Sequence, residues 1–486
     1  MIISNGGQKN NISEAVFFPF DDRSLPLRYN LETNLVNQSN DHELILERGD
    51  PEGPDGVNVK LYGTIIRVND EYRMWYGGVS KDGTRVCYAT SKDGIKWDKP
   101  SLGLTNFNGS TSNNIVRFDS EFSTQMNAIL ILHDPTDPDP ARRFKLINEV
   151  NPFHIIAAFS PDGLTWTESP HNPVLKHNSI ECGGLMKFGD CYFLNGQGGN
   201  VGTKRALVTY VSHDFNTWTD VVSVGLRRDT PPYKQIFGPH AGEQIHLGAS
   251  LWNRNNVVLG LYGMWHGESN DRKFVSVDLG FVVSNNGIHF KEPFPDFKMI
   301  KADGIRSVGS DMLHPEDAPC LEQGQGFENI GNETFTWYAP WRGGGIYVAR
   351  WERDRLGYAQ ITTDHPESPH QQNDAVMDSD APAPHVISCP IELTHSNAKV
   401  YINADGLSDD GTIRIEIVDE HFKPIPGYSG DNSISVNQSG LKQLASWKNN
   451  VALDTQTHPF RIKATFEGPN SQNIRLYALY IHENDQ

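Results

Sequence analysis

Glu181 heads the run Glu181-Cys182-Gly183-Gly184, where a carboxyl meets a cysteine and two glycines. In so apolar and tightly packed a setting, burial raises a carboxyl's pKa. A carboxylic acid still protonated near neutral pH can act as a general acid. Such chemistry ordinarily needs a second carboxylate as base or nucleophile. The candidates are Glu243, Asp55 and Asp317, the last beside Asp311 and Glu316. Each of these also reads as a loop acid capping a turn. His246 suits a proton carrier, a hydrogen-bond donor or a metal ligand, and equally a satisfied core histidine. His240, His246 and His314 lie in no HxH or HExxH spacing, so the sequence assigns no metal centre. Asn58, Lys60, Tyr62, Gln125, Asn127, His314 and Gln323 are the polar groups expected to hold a substrate.

The positions of these residues repeat. Lys60 to Gly63, Gln125 to Ala128, Glu181 to Gly184, His246 to Ala249 and Gln323 to Gly326 each run from a polar residue to Gly or Ala three positions later. Strand-like runs follow in each case, as Thr-Ile-Ile-Arg-Val and Tyr-Arg-Met-Trp-Tyr do after Gly63. Small residues recur where several backbones converge, which makes these the innermost strands of five propeller blades. A second repeat marks the outer hairpins: Ser91-Lys92-Asp93-Gly94, Ser160-Pro161-Asp162-Gly163, Ser212-His213-Asp214-Phe215 and Ser284-Asn285-Asn286-Gly287, each followed by an aromatic. A strand ends at the serine, the box turns the chain, and the aromatic covers the hairpin. These boxes resemble the Asp-boxes of sialidases and are structural punctuation.

The 486 residues exceed one ordinary core, so two domains are expected. The reading is all-β: an N-terminal segment at 1–40 that packs on or closes the propeller, a five-bladed β-propeller at 41–363, a Pro- and Asp-rich linker at 364–384, and a β-sandwich at 385–486. A formal charge of -18 argues against nucleic acid or an anionic membrane as partner. The five cysteines are odd in number and show no CxxC spacing, so free thiols are expected. The start lacks a signal-peptide pattern, leaving a cytoplasmic protein or an exported one whose signal lies outside this chain.

Five blades, a Glu-Cys pair heading the third, and a C-terminal sandwich together resemble the furanosidase-type five-bladed glycoside hydrolases of the invertase/levanase and arabinanase/xylosidase families. The resemblance implies that Glu181 of Glu181-Cys182 is the general acid/base. It also implies an Asp on each of the first two blades, where this chain has Lys60 and Gln125. His133-Asp134-Pro135 looks like the invertase Arg-Asp-Pro but falls after the strand, as a turn aspartate does. The expected activity is exo-acting hydrolysis of a furanose or unusual sugar in an oligo- or polysaccharide. Glu181 is then the acid, and Glu243, Asp55 or Asp317 the second carboxylate. No cofactor is required, and a structural calcium ion is left open. The rivals are a polysaccharide lyase using Lys60, His246 or Tyr62, and a non-catalytic glycan-binding propeller.

Overall fold

The structure, a computed structural model, describes all residues except 9, 39–41, 151–153, 176–179, 199–204, 221–222, 229–237, 239, 304–319, 342–344, 363–381, 457 and 484–486. The described residues are almost wholly strand, turn and bend, with only short 3-10 turns, so the chain is all-β. It divides into two compact units: residues 37–253 with 258–351, and residues 1–36 with 254–257 and 352–486.

The larger unit carries the five repeats. Three are separate sheets that open with Leu130–His133, Ile180–Phe188 and Gly242–Asn253, antiparallel but for one parallel pair, Arg117–Phe118 against Thr165–Glu168, in the first. The remaining two share a seven-stranded sheet. There Leu321–Ile330 lies parallel to Asn58–Val68 through Gln325 and Thr64, and Glu43–Glu47 adds an outer strand to Gly345–Glu352. The first strands of the repeats touch in a closed circuit. Leu130–His133 contacts Asn58–Val68 and Ile180–Phe188, the latter contacts Gly242–Asn253, and that strand contacts Leu321–Ile330.

Side-chain amides and hydroxyls stitch neighbouring repeats. Thr64 Oγ1 donates to the Ile129 carbonyl and accepts from the Ile131 N–H. Asn195 brackets Ala249 through both its backbone groups, and Gln325 reaches the Leu185 N–H and both backbone groups of Leu251. Each buried backbone group so paired avoids the cost of an unmade hydrogen bond.

All four boxes fold alike. The Ser hydroxyl accepts the N–H three residues on, and the Asp or Asn oxygen accepts the next two amides beyond it. Two box carbonyls also receive an indole from the preceding repeat: Trp75 Nε1 donates to the Gly163 carbonyl at 2.7 Å and Trp337 Nε1 to that of Gly94 at 2.9 Å. The Gly94 and Gly163 boxes are therefore joints between repeats.

In the smaller unit two six-stranded sheets share one apolar core. Ile413, Ile415, Ile417 and Ile462 face it from one sheet, and Val400, Ile402, Leu476 and Ile481 from the other. The N-terminal strands correct the expectation for residues 1–40. Glu14–Phe17 pairs with Arg475–His482 and Leu27–Tyr29 with His385–Ile387, and Ala15 and Phe17 of the apolar island are buried in that core. Gly357–Ile361 also pairs with Arg475–His482 here. Most of the expected linker lies outside the described residues. All five cysteines are free.

Candidate active site

The strand Phe144–Val150 is buried along its whole length, yet its sixth residue is a glutamate. Glu149 is 7% exposed, and burial together with the Glu181 charge pushes its carboxyl up to about 7. The Cys182 N–H and the Asn127 side chain donate to it, which opposes the rise without cancelling it. Glu181, on the first strand of the next repeat, accepts Gln197 Nε2 at 2.9 Å. Two carboxylates from adjacent repeats thus face each other, one poised near neutrality.

Tyr62 lies with them. Burial, then the charges of Glu322, Glu181 and Glu149, hold its phenol well above the usual tyrosine range, with Arg205 pulling the other way. Glu322 is 1% exposed and heads the first strand of the fifth repeat. Burial, then the Glu149 and Glu181 charges, push the Cys182 thiol well above its ordinary value. Arg205 lies 4.2 Å over the Trp265 ring, and its backbone N–H donates to Gln244. His246 packs 5.6 Å from Trp265 and 6.4 Å from Trp341, while His240 lies 6.0 Å from Trp265. Phenol, carboxylates, guanidinium and aromatic wall make a site of mixed polarity suited to a polyhydroxylated ligand.

The other sequence candidates fall in varied places. Glu243 is bound by Arg228 and His266, each at 2.8 Å, and His266 faces Asp278 on its far side. Burial works against the Glu243 charge, but these partners hold its carboxyl below the usual range, so it is ionised and structural in character. Asp55 is buried under Tyr76 and Lys99, at 2.7 and 2.6 Å, and is committed to packing the first repeat. Neither joins the Glu149–Glu181 group. Gln125 is exposed at an isolated bridge to Thr84 ahead of the second repeat's first strand, and Asn127 is exposed but reaches Glu149. Asn58 accepts the Val59 N–H, and Gln323 donates to the Gly248 carbonyl at 2.9 Å. Lys60 forms no ion pair among the described residues. Asp317 and His314 lie outside the described residues. No cluster of three or more His, Cys, Asp or Glu suited to a metal occurs among the described residues.

Asp134 is the turn acid the spacing indicated. It binds Lys187 at 2.9 Å, Tyr192 at 2.6 Å and Thr136 at 2.6 Å. Burial opposes its charge, yet these bonds bring its carboxyl down to about 2. Its stabilisation is therefore complete above the ordinary aspartate value and is lost as pH falls through about 2. Asp134→Asn is expected to cost about 3 kcal/mol by stranding Lys187, while leaving activity per folded molecule unchanged; urea unfolding beside a turnover assay checks both.

Glu149 was not singled out by the sequence, because it lies on a second strand and outside the small-residue signature. In sequence it stands only as an acid beside Asn148, between Leu146-Ile147 and Val150.

No protein-family profile matches the chain, and no curated protein matches it in sequence. Among solved structures, a glycosyl hydrolase from Bacteroides ovatus is 11% identical at a TM-score of 0.46, covering 66% of this chain and 95% of its own. A glycosidase-like structure from Bacteroides thetaiotaomicron is 10% identical at 0.45, covering 64% and 97%. A GH32 β-fructofuranosidase of Bombyx mori is 12% identical at 0.38, covering 92% and 95%. Likenesses at these scores transfer neither substrate nor residue roles.

Proposed function

We propose that the five repeats are the blades of a five-bladed propeller joined to a β-sandwich, and that the protein is a glycoside hydrolase acting through Glu149 and Glu181. The observation that carries this reading is the pairing of two carboxylates from adjacent repeats, Glu149 buried and Glu181 beside it, with Glu149 raised to about 7. Glu149 donates its proton to the glycosidic oxygen as the bond to the anomeric carbon breaks. Glu181, ionised, takes a proton from the attacking water or itself attacks that carbon. This exchanges the role first expected of Glu181, since the member poised as an acid is its neighbour. Tyr62, kept protonated by the surrounding charges, donates a hydrogen bond to a substrate oxygen, with His246 and Arg205 in the adjoining wall. The furanose preference rests on the family resemblance alone.

The lyase rival needs a base, and a phenol held this high is a poor one. The test is turnover of a panel of oligosaccharides, polysaccharides and aryl glycosides, read by reducing-end release and by absorbance of unsaturated uronic products. Reducing ends without that absorbance support hydrolysis. Absorbance supports the lyase, and binding without turnover supports the lectin-like reading. Because Glu149 must be protonated, kcat/KM is expected to fall as pH rises through about 7; a profile flat to pH 9 would remove Glu149 as the acid.

A further inference from the structure

We infer that Gln197 is a positioning residue of this site: its amide aims the Glu181 carboxyl, and a backbone kink at Leu247 and Gly248 in the next repeat fixes which way that amide faces. The inference rests on the reading of Glu149 and Glu181 as the acid–base pair.

Gln197 stands directly opposite Glu181 in the antiparallel ladder of the third repeat and is 5% exposed. Its Nε2 donates to Glu181 Oε2 at 2.9 Å, and its Oε1 accepts the Leu247 N–H at 3.1 Å. A backbone N–H can only donate. The acceptor end of the amide must therefore face Leu247, which leaves the NH2 end for the carboxylate.

The Leu247 N–H is available because the strand Gly242–Asn253 is kinked there. Leu247 has φ 63° and Gly248 φ 72°, and the ladder skips from His246 to Ala249. A buried leucine in the left-handed region is a genuine outlier, and such strain persists only where its surroundings over-determine it. Three contacts do so. Gln197 takes the Leu247 N–H, Gln323 donates to the Gly248 carbonyl at 2.9 Å, and the Leu247 carbonyl fills the space beside Gly183 that a side chain would occupy. Bulges of this kind re-aim groups beside functional sites.

Asn195, two residues earlier, supplies the comparison. It bonds both backbone groups of Ala249 and touches no ionisable group, so its work is purely structural. Gln197 differs in that one end of its amide meets a carboxylate. The groups sharing that neighbourhood are Glu149 from the second repeat, Tyr62 from the first and the Cys182 thiol, with Glu322 and Arg205 around Tyr62. A donor aimed at Glu181 among so many acids fixes one of its carboxyl oxygens in place.

Gln197→Met fills the space and removes both bonds, whereas Gln197→Glu can still accept the Leu247 N–H but offers Glu181 no NH2. In the full chain, with the best substrate of the panel above, both variants are expected to lower kcat roughly 10- to 100-fold, as loss of a hydrogen bond to a charged group implies. KM should stay within about twofold, and the acidic side of the pH profile should move up by about one unit. A fall in Tm with kcat and the acidic side unmoved would overturn the inference and make Gln197 a structural amide. Carbon-13 titration of the Glu181 carboxyl reads the same shift without substrate. It decides the question even if no panel glycoside is turned over, an outcome that would sink the hydrolase reading instead. If Gln197→Met does not fold, Gln197→Glu gives the same two readouts.

Discussion

Glu149→Gln and Glu181→Gln are each expected to lower kcat by about 10²–10⁴-fold while leaving the fold and substrate affinity nearly unchanged. The reasoning begins with isostery. A glutamine at 149 still fills the buried space and can still accept the Cys182 N–H, and one at 181 keeps an oxygen for Gln197 Nε2. What each loses is the proton or the charge. The two losses separate by leaving group. An aryl glycoside whose phenol departs without protonation should recover much of the activity of Glu149→Gln and little of that of Glu181→Gln, because only the former lacks an acid. The pair should also be non-additive, since removing either member leaves the other without its partner in the proton transfer. Equal recovery in both variants would assign the acid elsewhere, and unchanged turnover in either would remove that residue from the chemistry.

Gly183→Ala is expected to abolish the packing of the third repeat on the fourth. A Cβ at Gly183 would lie 1.5 Å from the Leu247 carbonyl oxygen and 3.0 Å from Gly248 Cα. These are backbone atoms, held in place by Gln197 and Gln323, so no side chain can rotate away. Ordinary overpacking costs about 1–3 kcal/mol; separating two strands to admit this methyl group must exceed that. The measurable outcome is loss of soluble folded protein or a large fall in Tm. Gly109→Ala, where no atom lies within 4 Å, provides a surface control despite its positive φ of 83°. A Gly183→Ala protein as stable as wild type would mean that the two first strands are not pressed together here.

The same glycine explains how much of this was readable beforehand. Polar-to-small stretches marked four of the first strands, Asn58–Val68, Ile180–Phe188, Gly242–Asn253 and Leu321–Ile330, because converging backbones demand glycine wherever they touch. At Gln125 to Ala128 the signature matched but the strand begins only at Leu130; there Gln125 makes an isolated bridge to Thr84, and Met126 and Ala128 are buried without forming a strand. The Ser-to-Gly boxes were legible for a different reason: their hydrogen bonds are local, so sequence spacing alone defines them.

The site was less legible. Glu181 stood out by its neighbours in sequence, but the atoms that act on it come from three other strands: Glu149, Gln197 and Tyr62. Burial of Glu149 is created by the second repeat packing on the third, which nothing in Ile147-Asn148-Glu149-Val150 announces. Glu243 and Asp55 looked equivalent to it on paper. Only the partners brought by folding, Arg228 and His266 for one and Lys99 and Tyr76 for the other, separate an ion-paired acid from a poised one.

The most direct measurement is a carbon-13 titration of the glutamate carboxyls in the full chain, with the Glu149 resonance assigned by its loss in Glu149→Gln. The account predicts a carboxyl titrating near 7 that moves down towards the ordinary glutamate value when Glu181 is replaced by glutamine. A Glu149 carboxyl that titrates in the ordinary range in wild type, or that ignores the Glu181 substitution, would contradict the pairing on which the proposed chemistry stands.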